Sequence, residues 1–167
     1  MMINKHETIY AKDGTKKLKV IREFDAPVEQ VWQAWTDQTL LDQWWAPKPW
    51  TAKTKSMDFR EGGKWIYAMV GPEGEEQWCR ANFHSIEQQK GYTGTDMFCD
   101  IEGNPTTEMP VMHWDVKFNP IDTGTRVDVV LTFNTEADLQ KIVEMGFEEG
   151  FRAAHTNLDA LLASIPA

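Results

Sequence analysis

The sequence predicts an α+β fold: a strongly curved antiparallel sheet of about seven strands around a long C-terminal helix, with two short helices after the first strand. Three observations predict it. Between 51 and 134, apolar residues recur with a period of two, and Gly, Pro and Asn clusters punctuate the run. Segments with helical spacing flank that run, at 27–45 and at 135–164. The cleanest strands carry one apolar and one polar face, so the sheet is covered on one side only.

The elements follow in chain order. Residues 1–16 are polar with a turn signal at Asp13-Gly14, and form an N-terminal arm or one limb of a hairpin. Residues 17–164 form a single domain. In Lys17–Phe24, Leu18, Val20 and Phe24 share a phase, the mark of a half-buried strand. Arg22 sits in that apolar phase. Pro27 suits a first helical turn, with Val28, Val31, Trp32 and Trp35 on one helical face after it. Asp37 caps a second helix carrying Leu40, Leu41, Trp44 and Trp45, which Pro47 and Pro49 end. Strands follow at about 51–59, 64–71, 76–87, 91–99, 111–119 and 125–134. The clearest places Met112, Trp114, Val116 and Phe118 opposite His113, Asp115, Lys117 and Asn119. Thr135–Ser164 contains no proline and reads as one helix, roughly 40 Å long. Gly146 and Gly150, one turn apart on its apolar stripe, mark either close backbone approach or space left for a ligand.

Composition narrows the function. The 167 residues carry 17 Lys and Arg against 26 Asp and Glu, a formal net charge of -9. That balance disfavours nucleic acid and anionic membrane surfaces, which require clustered cations. The chain has no apolar run long enough to span a membrane, and its N-terminus does not read as a signal peptide. The two cysteines, Cys79 and Cys99, form no CxxC pair and read as reduced. A cytoplasmic protein is the expectation. No GxSxG, GxGxxG, phosphate-binding GxxxxGK or HExxH motif is present. The four histidines are scattered, without metal-ligand spacing. The expectation is therefore no metal, no cofactor and no catalytic residue. His113 and Asp115 share a strand face and could act as an acid–base pair, but the alternation turns that face to solvent.

The aromatic content is the positive signal. Eight Trp and eight Phe accompany only three Tyr. On a curved sheet the inner phases converge, so some of these rings fill the core and others line a cavity. The candidate lining is Trp35, Trp45, Trp65, Tyr67, Trp78, Met97, Met112, Trp114, Phe147 and Phe151. With Met57 and Met69, the methionines would make the wall adaptable.

Three stretches carry a family resemblance: Arg22 to Trp35 (REFDAPVEQVWQAW), Leu41 to Pro47 (LDQWWAP) and Asp58 to Trp65 (DFREGGKW). With Met145–Phe151 (MGFEEGF) and Asn157–Leu162, they resemble the START-like (SRPBCC) superfamily. More narrowly, they are similar to its bacterial branch related to the activator of heat-shock protein 90 ATPase, C-terminal domain. The resemblance covers about Lys17 to Ala163. It implies a helix-grip fold with a deep pocket between sheet and last helix. It also implies apolar ligands such as lipids, hormones or polyketides, with a few members acting as cyclases or hydrolases. His155 departs from the family pattern, which is apolar at that position.

Two polar residues are candidate ligand anchors. Arg22 either pairs with a carboxylate such as Asp58 or Asp128, or anchors a ligand carboxylate. His155, at the edge of the stripe, either is satisfied within the protein or donates to a ligand. The expected partner is a small apolar or aromatic molecule, not nucleic acid and without membrane insertion, bound by a monomer or homodimer. The alternatives are a cyclase or hydrolase using the same pocket, and a co-chaperone-like module that binds a protein partner.

Overall fold

A computed structural model of the chain describes residues 7–165; residues 1–6 of the arm, with His6, and residues 166–167 lie outside the described residues. The chain forms β1 (Ile9–Asp13), β2 (Lys17–Phe24), α1 (Val28–Thr36), α2 (Gln38–Trp44), β3 (Thr51–Met57) and β4 (Lys64–Val70). It continues with β5 (Glu76–Glu87), β6 (Gly91–Phe98), β7 (Met112–Ile121), β8 (Gly124–Phe133), α3 (Glu136–Glu144) and α4 (Phe147–Ser164). The strands make one antiparallel sheet in the order β1-β2-β8-β7-β6-β5-β4-β3.

The sheet has eight strands because the polar arm is a hairpin limb: Ile9–Asp13 pairs with Lys17–Ile21. Register shifts at Thr54/Ser56 in β3 and Phe83/Ser85 in β5 bend the sheet, as β-bulges do. Gly94 lies opposite Phe83 at the second bend. A Cβ there would stand 2.2 Å from the Asn82 carbonyl oxygen, so only glycine lets β5 and β6 approach this closely.

The concave face buries Leu18, Val20, Phe24, Val116, Phe118, Val127, Val129 and Leu131. Against it, α4 buries Phe151, Ala154, Leu158 and Leu162. The short helices close one end. Asp37 caps α2, its carboxylate accepting from the Thr39 and Leu40 N–H groups at 2.9 and 3.2 Å. Trp44 Nε1 donates to the Ala34 carbonyl at 2.9 Å and locks α2 to α1.

The predicted single C-terminal helix is two helices. Gly146 adopts φ +91°, the left-handed conformation that ends α3, and its carbonyl accepts the Gly150 N–H at 2.9 Å to start α4. Gly146 is thus a terminus rather than an interior residue. The apolar stripe runs across the break, which is why helical spacing alone conceals it. Among the described residues, no helix is long and apolar enough to cross a membrane.

Candidate functional site

Between the sheet and α4 lies a cavity of about 240 Å³. Inward phases of four adjacent strands build its floor: Tyr67 and Met69 on β4, Cys79 on β5, Asp96 and Phe98 on β6, Met112 and Trp114 on β7. The register explains this grouping, because Tyr67 pairs with Cys79, Cys79 with Phe98, and Asp96 with Met112. Trp45 and Pro47 after α2 form one side, and Phe147, Gly150 and Phe151 of α4 form the roof. Met145 and Gly146, at the helix break, also border it. Met145 is 53% exposed, so the cavity meets solvent at that corner.

The wall is aromatic. The Trp45 ring contacts Trp65 at 5.6 Å, Trp114 at 5.9 Å and Phe151 at 6.0 Å between centroids. Trp114 meets Phe151 edge-on at 5.7 Å. These edge-to-face and tilted contacts stiffen the rings that would enclose a ligand.

Gly150 answers one question left open by the sequence. A Cβ there would meet only Pro47 Cγ, at 3.6 Å, an ordinary contact. There is room for a Cβ at this position, and Gly150 borders the cavity.

The floor holds a polar chain. Trp45 Nε1 donates to the Tyr67 hydroxyl at 3.1 Å, and that hydroxyl donates to Asp96 Oδ2 at 3.3 Å. Asp96 is only 8% exposed, and its Oδ1 has no well-formed hydrogen bond among the described residues. Burial pushes the Asp96 carboxyl up to about 7 from 3.8, against the smaller lowering effects of the hydrogen bonds from Tyr67 and from the Met97 backbone N–H. Burial, and then the Asp96 charge, push both the Tyr67 hydroxyl and the Cys79 thiol well up.

Six of the ten candidate lining residues border this cavity: Trp45, Tyr67, Met112, Trp114, Phe147 and Phe151. Trp35 and Trp65 border an adjoining space of about 30 Å³, room for a water molecule, which shares Trp45, Asp96 and Trp114 with the main cavity. Trp78 and Met97 border neither space. Trp78 pairs with Ala68 and Met97 with Arg80, in the phase opposite to Tyr67, Cys79 and Asp96, so both lie on the outer face of the sheet. His113 and Asp115 also take the outer phase of β7. Met57 borders neither space, whereas Met69 borders the main cavity.

Neither polar anchor faces the cavity. Arg22 is 1% exposed and forms an ion pair with Asp159 of α4. Its Nη1 donates to the Glu23 carbonyl at 2.7 Å, and its guanidinium lies 4.9 Å from the Phe24 ring centroid. The suggested partners are engaged elsewhere, Asp58 with Arg60 and Asp128 with Arg126. His155 is fully buried rather than at an edge. Its Nδ1 lies 2.9 Å from the Thr8 hydroxyl, and its ring packs at a tilt against Phe151, 4.1 Å between centroids. Burial, then the charges of Arg22 and Arg152, lower its pKa from 6.5 to about 3, so the imidazole is neutral at physiological pH.

The lining residues that sequence reasoning missed include Asp96, Cys79, Gln77, Phe98 and Pro47. Asp96 was within reach, because Tyr92, Asp96 and Phe98 share one strand phase. Among the described residues, no three His, Cys, Asp or Glu side chains come together as a metal site requires.

With this geometry established, the relatives bear on it. The model of the Activator of Hsp90 ATPase homolog 1-like protein family matches residues 25–163. No curated protein matches the chain. Solved structures do. One, from Arthrobacter aurescens, is 38% identical with a TM-score of 0.87, covering 95% of this chain and 92% of that one. Another, from Mycobacterium smegmatis, is 31% identical with a TM-score of 0.87, covering 96% and 100%. A third, from Nitrosomonas europaea, is 30% identical with a TM-score of 0.79, covering 91% and 97%.

Proposed function

The chain belongs to the Activator of Hsp90 ATPase homolog 1-like family, and from that premise and its interior we propose that it is a small-molecule binding protein whose site is the cavity beneath α4. The observation that carries this reading is the cavity itself. About 240 Å³ of space is walled by Trp45, Trp114, Phe147 and Phe151, with a few converging polar groups on its floor. Small-molecule sites are commonly built in this way. Burying the apolar part of a ligand against these rings supplies affinity at roughly 25 cal/mol per Å². The Tyr67–Asp96 pair supplies orientation. The bordering methionines, Met69 and Met112, let the wall adjust to the shape of the ligand.

A second reading is an enzyme working in the same cavity. It draws support from the floor, where Asp96 carries a pKa near the operating pH of a general acid or base, beside the Cys79 thiol. Turnover of a bound compound, lost in Asp96→Asn, would favour this reading over binding alone.

The test is native mass spectrometry of freshly purified protein, followed by extraction and identification of what it carries. A near-stoichiometric apolar compound is the expected result. Gly150→Phe, which projects a ring into the cavity, should abolish its carriage while the circular dichroism spectrum stays unchanged. An apolar compound retained by that variant would overturn the assignment to this cavity.

A further inference from the structure

The cavity is sided electrostatically. Among the described residues, no Lys, Arg or His borders either the main cavity or the adjoining space. The ionisable groups that do border them are Asp96, Tyr67, Cys79 and Tyr92, each of which is neutral or negative. Asp96 Oδ2 accepts from the Tyr67 hydroxyl, the Met97 backbone N–H adds a weaker contact to the carboxylate, and Oδ1 has no well-formed hydrogen bond among the described residues. A buried carboxylate oxygen without a well-placed donor is costly and is relieved by a ligand that brings one. Trp45 and Trp114 border both spaces together with Asp96, and the π-faces of such rings attract cations.

Building on the small-molecule reading above, we propose that the cavity takes an apolar ligand bearing a protonated amine, with the ammonium seated against the Asp96 carboxylate beside the rings of Trp45 and Trp114. A neutral ligand would satisfy the donor requirement but leave an ionised Asp96 without a countercharge. An anionic ligand would meet Asp96 and aromatic faces with no cation to receive it. A cation satisfies both, and a buried carboxylate is retained at low cost only when paired.

A consequence is proton release. The carboxyl of free Asp96 titrates near 7, so at that pH about half the molecules hold a proton there, which an arriving ammonium expels. The groups facing Asp96 from neighbouring elements are Tyr67 on β4 and Cys79 on β5, with Tyr92 on its own strand. Burial raises the pKa of all three, so they stay protonated at this pH. Met112 and Trp114 on β7 and Phe151 on α4 do not titrate.

The experiment uses matched aryl-alkyl triplets: 2-phenylethylamine, 2-phenylethanol and 3-phenylpropionate, with the naphthyl series beside them. Binding is measured by calorimetry at pH 8 to the wild-type protein and to Asp96→Asn. The amine should bind at least about tenfold more tightly than its alcohol, the carboxylate weakest, and the Asn variant should erase the amine's advantage while still binding the alcohol. Repeating the titration at pH 7 in buffers of different ionisation enthalpy should reveal proton release with the amine. An alcohol that binds as well as its amine, or an amine preference that survives in Asp96→Asn, overturns this proposal and leaves the small-molecule reading standing. Failure of every probe to bind overturns both. If the Asn variant does not fold, the wild-type proton count decides, and amine binding without release at pH 7 overturns the proposal.

Discussion

Arg22 of β2 and Asp159 of α4 form an ion pair across the interior, tying the closing helix to the first long strand of the domain. The arginine side chain is 2% exposed and the aspartate 24%. The pair is therefore anchored at a buried cation, whose desolvation is offset only while the carboxylate is present. Asp159→Ala should destabilise the fold by about 3 kcal/mol, because it leaves the guanidinium buried without its countercharge. The double change Arg22→Met, Asp159→Leu should recover most of that loss. Urea unfolding of the three proteins measures both effects, and a double variant as unstable as the single one would show that the pair does more than cancel a buried charge.

Asp96 gives stability a pH dependence of unusual sign for a carboxylate. Its folded pKa is about 7, above the ordinary 3.8, so between those values the folded state holds more protons than the unfolded state. Stability contributed by the neutral carboxyl is complete below about pH 4 and is lost as pH rises through 7. Asp96→Asn removes the titrating group. At pH 8 the ligand-free variant should be more stable than wild type by an amount on the order of a few kcal/mol, with the gap closing toward pH 5. Denaturant midpoints at the two pH values check it.

His155 acts in the opposite direction. Its folded pKa of about 3 lies below the ordinary 6.5, so the unfolded chain takes up a proton that the folded chain refuses. Stability therefore falls as pH drops from 6.5 toward 3. His155→Phe should flatten that acid limb. It also strips Thr8 of its partner, which lowers stability at every pH without changing the slope. The comparison is best made in an Asp96→Asn background, where the opposing titration is absent, and an unchanged acid slope there would disprove the assignment.

How far the sequence revealed all this depends on how each strand advertises its two faces. In β7 the alternation is clean, and Met112 and Trp114 were identified as inward from sequence alone. In β6 the inner face carries Gly94 and Asp96 while Met97 points outward, so hydrophobicity named the wrong residue. Trp78 misled in the same way, since a half-buried ring on the outer face reads as core. The partners of Arg22 and His155 lie 137 and 147 residues away in the chain, beyond any local pattern. The break between α3 and α4 had a signal in Gly146, a residue typical of helix ends, but an uninterrupted apolar stripe overrode it.

The two glycines at that break should respond oppositely to alanine, although they stand one turn apart. Gly150 lies within α4, and a Cβ there meets only Pro47 Cγ at 3.6 Å. Glycine inside a helix costs about 1 kcal/mol relative to alanine, so Gly150→Ala should stabilise the protein by about that amount. Gly146 has equal space, with nothing within 4 Å of a Cβ, but its φ of +91° is one that L side chains rarely adopt. Gly146→Ala should therefore destabilise by about 1 kcal/mol through backbone strain alone. Thermal unfolding of the two variants separates conformational strain from crowding. If both glycines were retained for space, both alanines would destabilise; if both were ordinary helix interior, both would stabilise. Opposite signs establish that the chain ends one helix at Gly146 and leaves volume beside the next at Gly150.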